Sequence, residues 1–164
     1  MAAMRTVEEH ATVIAGLLSP TPTESLPLAE TVGLVLTADL VATIDLPPFP
    51  NSAMDGYAVR AQDIVQLPVT LPVSQDIPAG RTDTRDLSPG TAARIMTGAP
   101  MPPGADTIVQ VERTDGGVSA VRIDSAPGPG VHVRTRGDDV RAGTVVLPAG
   151  TVIGQPQVGE AAAL

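Results

Sequence analysis

Cysteine, tryptophan and lysine are absent, and the aromatic residues amount to one phenylalanine and one tyrosine, Phe49 and Tyr57. Without cysteine there is no disulfide framework, no thiolate chemistry and no cysteine-based metal site. With two aromatics, a core drawn from the 43% apolar residues must be aliphatic. All ten basic residues are arginine, a side chain suited to two-pronged contacts with anions, although a GC-rich genome would have the same effect. The formal charge is 10 − 18 = −8 with no basic run, which argues against nucleic acid or an anionic membrane as a partner. Long apolar runs are lacking too. The best candidate, ATVIAGLL at 11–18, is far too short to span a bilayer, and the N-terminus carries no secretory pattern. A cytoplasmic protein is the resulting expectation.

Glycine and proline are plentiful: 16 and 17 residues, or 33 of 164. That share marks a turn-rich folded chain and stays below the roughly 25–30% typical of low complexity. Thr6-Val7-Glu8-Glu9 fits a capping box, and Val7, Ala11, Ile14 and Leu18 recur at helical spacing until Ser19-Pro20 ends the run. The spacing predicts one amphipathic helix whose apolar face needs a partner. LPLAETVGLVLTADLVATI then predicts a strand, a short helical turn and a second strand ending near Ile44.

Short extended segments follow: VTLPVSQDI (69–77), AARIM (92–96), DTIVQV (106–111), VSAVRI (118–123), VHVR (131–134) and GTVVLPAGTVI (143–153). Turn residues divide them, among them Pro78-Ala79-Gly80 and Asp115-Gly116-Gly117. GQPQVGEAAAL (154–164) begins another helix, with Pro156 at an early position. The fold class is therefore mainly β with an N-terminal helix (α+β). A final helix without a cap and a first helix without a partner raise the expectation of a longer protein.

Three stretches could carry chemistry. In Asn51-Ser52-Ala53-Met54-Asp55-Gly56-Tyr57, Asp-Gly is a tight-turn signal that could lift the Asp55 carboxylate out of the fold. An ordinary turn, with Asn51 and Asp55 bonded to nearby backbone, accounts for the same residues. In Arg94-Ile95-Met96-Thr97-Gly98-Ala99-Pro100, a strand exit of small residues could bring amides and the Thr97 hydroxyl to an anion, or be a plain loop. In Val131-His132-Val133-Arg134-Thr135-Arg136-Gly137-Asp138-Asp139, strand alternation would put His132, Arg134 and Arg136 on one face. Those arginines could hold a phosphate beside a carboxylate, or pair with the adjacent aspartates in a solvated edge strand. Taken together, Asp55, Asp139, Thr97 and two arginines suit an oxyanion or phosphate with Mg²⁺. No nucleophile–base pair, zinc spacing or P-loop is visible.

LPPFPNSAMDGYAVR, IPAG, LSPGTAARIMTGAPMPPGADTIVQVE, RTRGDD and AGTVVLPAGTVI, in this order, resemble the N-terminal part of the molybdopterin molybdenumtransferases. This is the MoeA family, which includes the gephyrin E domain. The resemblance implies insertion of molybdate into adenylylated molybdopterin with release of AMP, a divalent cation such as Mg²⁺, and an elongated homodimer acting on small-molecule substrates. It implies a small β-rich domain at 41–142, an elongated β domain from 23–40 and 143–164, and an N-terminal helix (1–22) packed on a pterin-binding domain. Motif matching carries over Asp55, Thr97 and Asp139 as catalytic residues, with Asp55 and Asp139 also toward the metal. Ser52, Gly98, Arg134 and Arg136 are carried over toward substrate. Pro50, Leu34, Thr135 and Asp138 depart from the family's usual Asp, Arg, Arg and Glu, and the Thr-Gly-Asp-Glu motif of the pterin-binding domain is missing. A non-catalytic binding or assembly module of the same architecture is the alternative.

Overall fold

A computed structural model describes residues 4–164. The chain divides into two compact units, one formed by the residues up to Asp39 with Pro148–Ala163, the other by Leu40–Leu147 with Leu164.

The first unit holds two helices. In α1 (Val7–Leu17) the Thr6 side chain accepts from the Glu9 amide and the Glu9 side chain accepts from the Thr6 amide, completing the expected capping box. No residue of α1 is buried, and Val7, Ile14 and Leu17 are among its exposed apolar side chains. The segment after Leu26 departs from expectation. Its helical turn, a single 3₁₀ turn at Leu28–Glu30, comes first, with no strand before it. Val35 then bridges Val152, and Gly33 and Leu36 exchange backbone bonds with Ile153, Thr151 and Gly150. The second helix, α2 (Gln155–Ala162), starts with Pro156 in its first turn.

The second unit is built on strands. The first two, β1 (Leu40–Val41) and β2 (Asn51–Ser52), are only two residues long. The others are β3 (Gly56–Val59), β4 (Val69–Ile77), β5 (Ala92–Ile95), β6 (Thr107–Gln110), β7 (Ala120–Ile123), β8 (Val133–Arg134) and β9 (Val145–Leu147). Five form one mixed sheet in the order β6-β3-β5-β4-β7, with β4 and β5 parallel and the other pairs antiparallel. β1 pairs with β9 and β2 with β8 as separate two-stranded ribbons.

Both faces of the five-stranded sheet are covered. Side chains alternate along a strand, so Tyr57, Val59 and Val109 join Leu71, Val121 and Ile123 on one side. Ala58, Ile95 and Ile108 join Ile77, Leu87 and Ala99 on the other. Burial of each Val, Leu or Ile contributes about 1.5–3 kcal/mol, and small aliphatic residues on two faces replace the aromatic bulk the chain lacks. Its one tyrosine is fully buried and donates its hydroxyl hydrogen to the Gly117 carbonyl at 2.9 Å. Phe49, by contrast, stays 37% exposed. Loops shield the sheet edges: the Val131 carbonyl accepts from the Ile108 amide beside β6, and the backbone amides of Asp115 and Asp124 donate to the carbonyls of Arg122 and Arg113 beside β7. Covered edges of this kind offer no template for strand addition.

Two local expectations fail for physical reasons. Gly56 is not a left-handed turn residue; it opens β3, opposite Gln110. A Cβ there would lie 2.0 Å from the Val109 carbonyl oxygen, so glycine is required by the close approach of β6. The alternation expected from Val131 to Arg136 is also interrupted. His132 adopts φ +60°, and only Val133 and Arg134 form a strand.

Candidate functional site

The stretch between β2 and β3 is a bend, and backbone bonds hold it at both ends. The Ala53 amide donates to the His132 carbonyl at 2.9 Å, and the Val111 amide donates to the Asp55 carbonyl at 3.0 Å. Ser52 is fully buried, and its hydroxyl donates to the Met54 carbonyl at 2.5 Å, closing a short turn beneath Asp55. Asp55 itself is exposed.

Thr97 fixes that carboxylate. Its amide and its hydroxyl both donate to Asp55 Oδ1, each at 2.7 Å. Thr97 can reach because β5 lies beside β3, with Gly56 opposite Ile95, so the residues just beyond the strand ends meet. Gly98 then turns back with φ +79° and donates its amide to the Ser52 carbonyl at 2.8 Å. The donors that the sequence placed toward an anion therefore face inward, onto Asp55 and Ser52. Oδ2 of Asp55 has no protein partner among the described residues. The Thr97 hydroxyl, then its amide, and more weakly the charge of Arg94, hold the Asp55 pKa below its ordinary value. The structure thus joins Ser52, Asp55, Thr97 and Gly98 into one constellation.

Arg134 and Asp139 form a second. Arg134 lies opposite Asn51 on the β2–β8 ribbon, and its guanidinium is bonded to the Asp139 carboxylate. The Asp139 amide is anchored on the Leu46 carbonyl at 2.9 Å. The ribbon brings this pair to the Asn51 end of the segment that leads to Asp55, but no bond links the two carboxylates. Arg136 is turned elsewhere: its Nε donates to Asp45 Oδ2 at 2.5 Å. Asp45 also accepts the Ala142 amide at 2.8 Å, and these two donors lower its pKa. Asp138 closes the intervening turn by accepting from the Thr135 amide and hydroxyl, which lowers its pKa as well.

Sequence reasoning overlooked Arg94 and Asp45. Arg94 sits opposite Tyr57 and contributes positive charge near Asp55. Its place three residues before Thr97 in the same motif was the available signal. Asp45 gathers bonds from residues 91 and 97 positions away, which no local pattern displays.

A divalent cation can be tested against these donors. Among the described residues no group of three or more His, Cys, Asp or Glu could hold a metal ion. Asp55 has one free oxygen and Asp139 is shared with Arg134. Such a set does not fit an all-protein cage. It fits Mg²⁺ bound through one or two carboxylates, with water and substrate oxygens completing the shell. No helix among the described residues is long and apolar enough to cross a membrane.

Comparison with known proteins places these motifs in a family. The family model described as MoeA N-terminal region (domain I and II) matches residues 4–164. Molybdopterin molybdenumtransferase 2 of Mycobacterium tuberculosis is 53% identical over 165 residues, covering 98% of this chain and 41% of the relative. A molybdopterin molybdenumtransferase from Nostoc is 40% identical, covering 98% of this chain and 38% of the relative. Among solved structures, a molybdopterin biosynthesis moeA protein from Pyrococcus horikoshii superposes with a TM-score of 0.81 at 35% identity, over 86% of this chain and 38% of that one. The chain thus spans about two fifths of the length of the curated relatives it matches. With the family model, the identity over 98% of this chain and the fold in agreement, the chain belongs to the MoeA N-terminal region family.

Proposed function

We propose that this chain is the N-terminal part of a molybdopterin molybdenumtransferase, which inserts molybdate into adenylylated molybdopterin and releases AMP. The observation that carries the reading is the Asp55 carboxylate, exposed and fixed through one oxygen by Thr97 while the other is free. A carboxylate oriented in advance and kept ionised can hold a cation or receive a proton without reorganising during the reaction.

In this reading Asp55 is the acting carboxylate and Thr97 its positioning residue. Asp139 is the second carboxylate, held by Arg134, which brings positive charge toward an anionic substrate, while Arg136, bonded to Asp45, serves the local fold. Ser52 and Gly98 serve from behind by shaping the turn. When bound, Mg²⁺ would offset negative charge on phosphate and molybdate oxygens, with Asp55 and Asp139 as this chain's contributions. The β-rich domain at 41–142 carries these residues; 23–40 with 143–164 form the elongated domain. The N-terminal helix packs on a pterin-binding domain of a cytoplasmic homodimer.

The test is an insertion assay on the full-length protein. With adenylylated molybdopterin, molybdate and Mg²⁺, it is expected to release AMP and yield molybdenum cofactor, whereas residues 1–164 alone yield none. A full-length protein that folds yet neither releases AMP nor incorporates molybdate would favour the binding-module alternative.

A further inference from the structure

We propose that a cavity separate from the Asp55 carboxylate is a binding site for a small phosphate-like oxyanion. It lies in the second unit, has a volume of about 310 Å³ and is lined by Gln110, Arg113, Ser125, Ala126, Pro127 and His132. Four of these side chains can donate a hydrogen bond, and they come from four places in the chain: the end of β6, the 3₁₀ turn after it, the loop after β7 and the residue before β8. None of the four has a hydrogen-bond or ion-pair partner among the described residues.

That convergence is unusual in this chain. Among the described residues six of the ten arginines pair with aspartates, yet Arg113 faces a cavity with no acidic residue in its lining. Asp124, which precedes Ser125 after β7, is held by Arg122 at 3.0 Å. An arginine flanked by an amide, a hydroxyl and an imidazole offers donors from several directions, the arrangement a tetrahedral oxyanion accepts. His132 adds an independent sign. It is the one non-glycine residue with positive φ among those described, and such conformations concentrate where a side chain must be presented to a ligand.

The cavity also adjoins the proposed catalytic segment. Its wall residue His132 accepts the Ala53 amide, and Val111, next to Gln110, donates to the Asp55 carbonyl. An occupant would therefore be felt at the bend that presents Asp55, although it would not touch that carboxylate.

The probe is inorganic phosphate, titrated into the 164-residue chain at constant ionic strength and followed by ¹H–¹⁵N NMR. Saturable shifts are expected at Gln110, Arg113 Nε and His132, with the Ala53 amide moving in step. Arg113→Gln is expected to weaken binding at least tenfold, and Ser125→Ala to weaken it less. Arg141→Gln, which removes an unpaired arginine outside the cavity, is expected to leave binding unchanged. A linear, non-saturating drift, or equal weakening by Arg141→Gln, would overturn the site.

Discussion

Asp55 and Thr97 are 42 residues apart and meet through two bonds to one carboxylate oxygen. Because both donors favour the ionised form, Thr97→Val is expected to raise the Asp55 pKa toward its ordinary value, even though one amide bond remains. Carbon-detected NMR of the carboxyl group against pH reads this directly; an unmoved titration would mean that the hydroxyl does not act on the charge. Thr97→Ser, which keeps the hydroxyl, is expected to preserve the depressed value. The same geometry explains why the site was only half legible in the sequence. The Asp-Gly step and the Thr-Gly step each stand out locally, and each is compatible with an ordinary turn. What converts them into a constellation is the β3–β5 register, which sets Gly56 opposite Ile95. Arg136 shows the reverse case. Local spacing pairs it with Arg134 on one face, but the loss of strand geometry after Arg134 sends it to Asp45.

At the scale of elements, the strands of the five-stranded sheet were largely legible, most clearly β4, whose nine residues match the expected 69–77. Turn residues bracket that segment, and its apolar positions are regularly spaced. The pairing of the shorter ribbons was not legible: β8 and β9 fall within the expected VHVR and GTVVLPAGTVI segments, but β2 and β8 owe their contact to partners about 80 positions away. Gly56 was misread for a related reason. Asp-Gly is a property of two neighbours, whereas the need for glycine is set by β6 passing close behind. Gly56→Ala is accordingly expected to destabilise the chain by about 3 kcal/mol or more, the upper end for overpacking a filled interior. Gly98→Ala meets no atom within 4 Å but keeps φ +79°, so its expected cost is about 1–2 kcal/mol, that of left-handed backbone alone. Urea denaturation of the two variants should rank them in that order. The opposite ranking would contradict the register assigned to β3 and β6.

Over the whole molecule, charge is managed by hydrogen bonds more than by burial. Asp45, Asp55, Asp83, Asp115 and Asp138 all have pKa values lowered from 3.8 by donors that bind the ionised form. Each ionised carboxylate therefore contributes stability above its unfolded pKa and loses it as pH falls through the lower folded value. The chain is expected to hold a steady denaturation midpoint from neutral pH down to about the ordinary carboxylate pKa, then lose stability as the pH drops further. A midpoint that rises below that pH would contradict the account. In the second unit, one sheet buried on both faces with loop-covered edges underlies this charged surface. On that base the family motifs present one carboxylate with a free oxygen.

The most direct test of that carboxylate's role is AMP release and molybdate insertion by the full-length protein carrying Asp55→Asn, beside wild type. The substitution keeps size and shape while removing the charge that Thr97 stabilises. The expected result is a rate lowered about 100-fold or more, the lower end for loss of a positioned acid–base or charge-stabilising group, with an unchanged circular dichroism spectrum. Wild-type turnover by the folded Asp55→Asn protein would contradict the account and return Asp55 to the role of a turn residue.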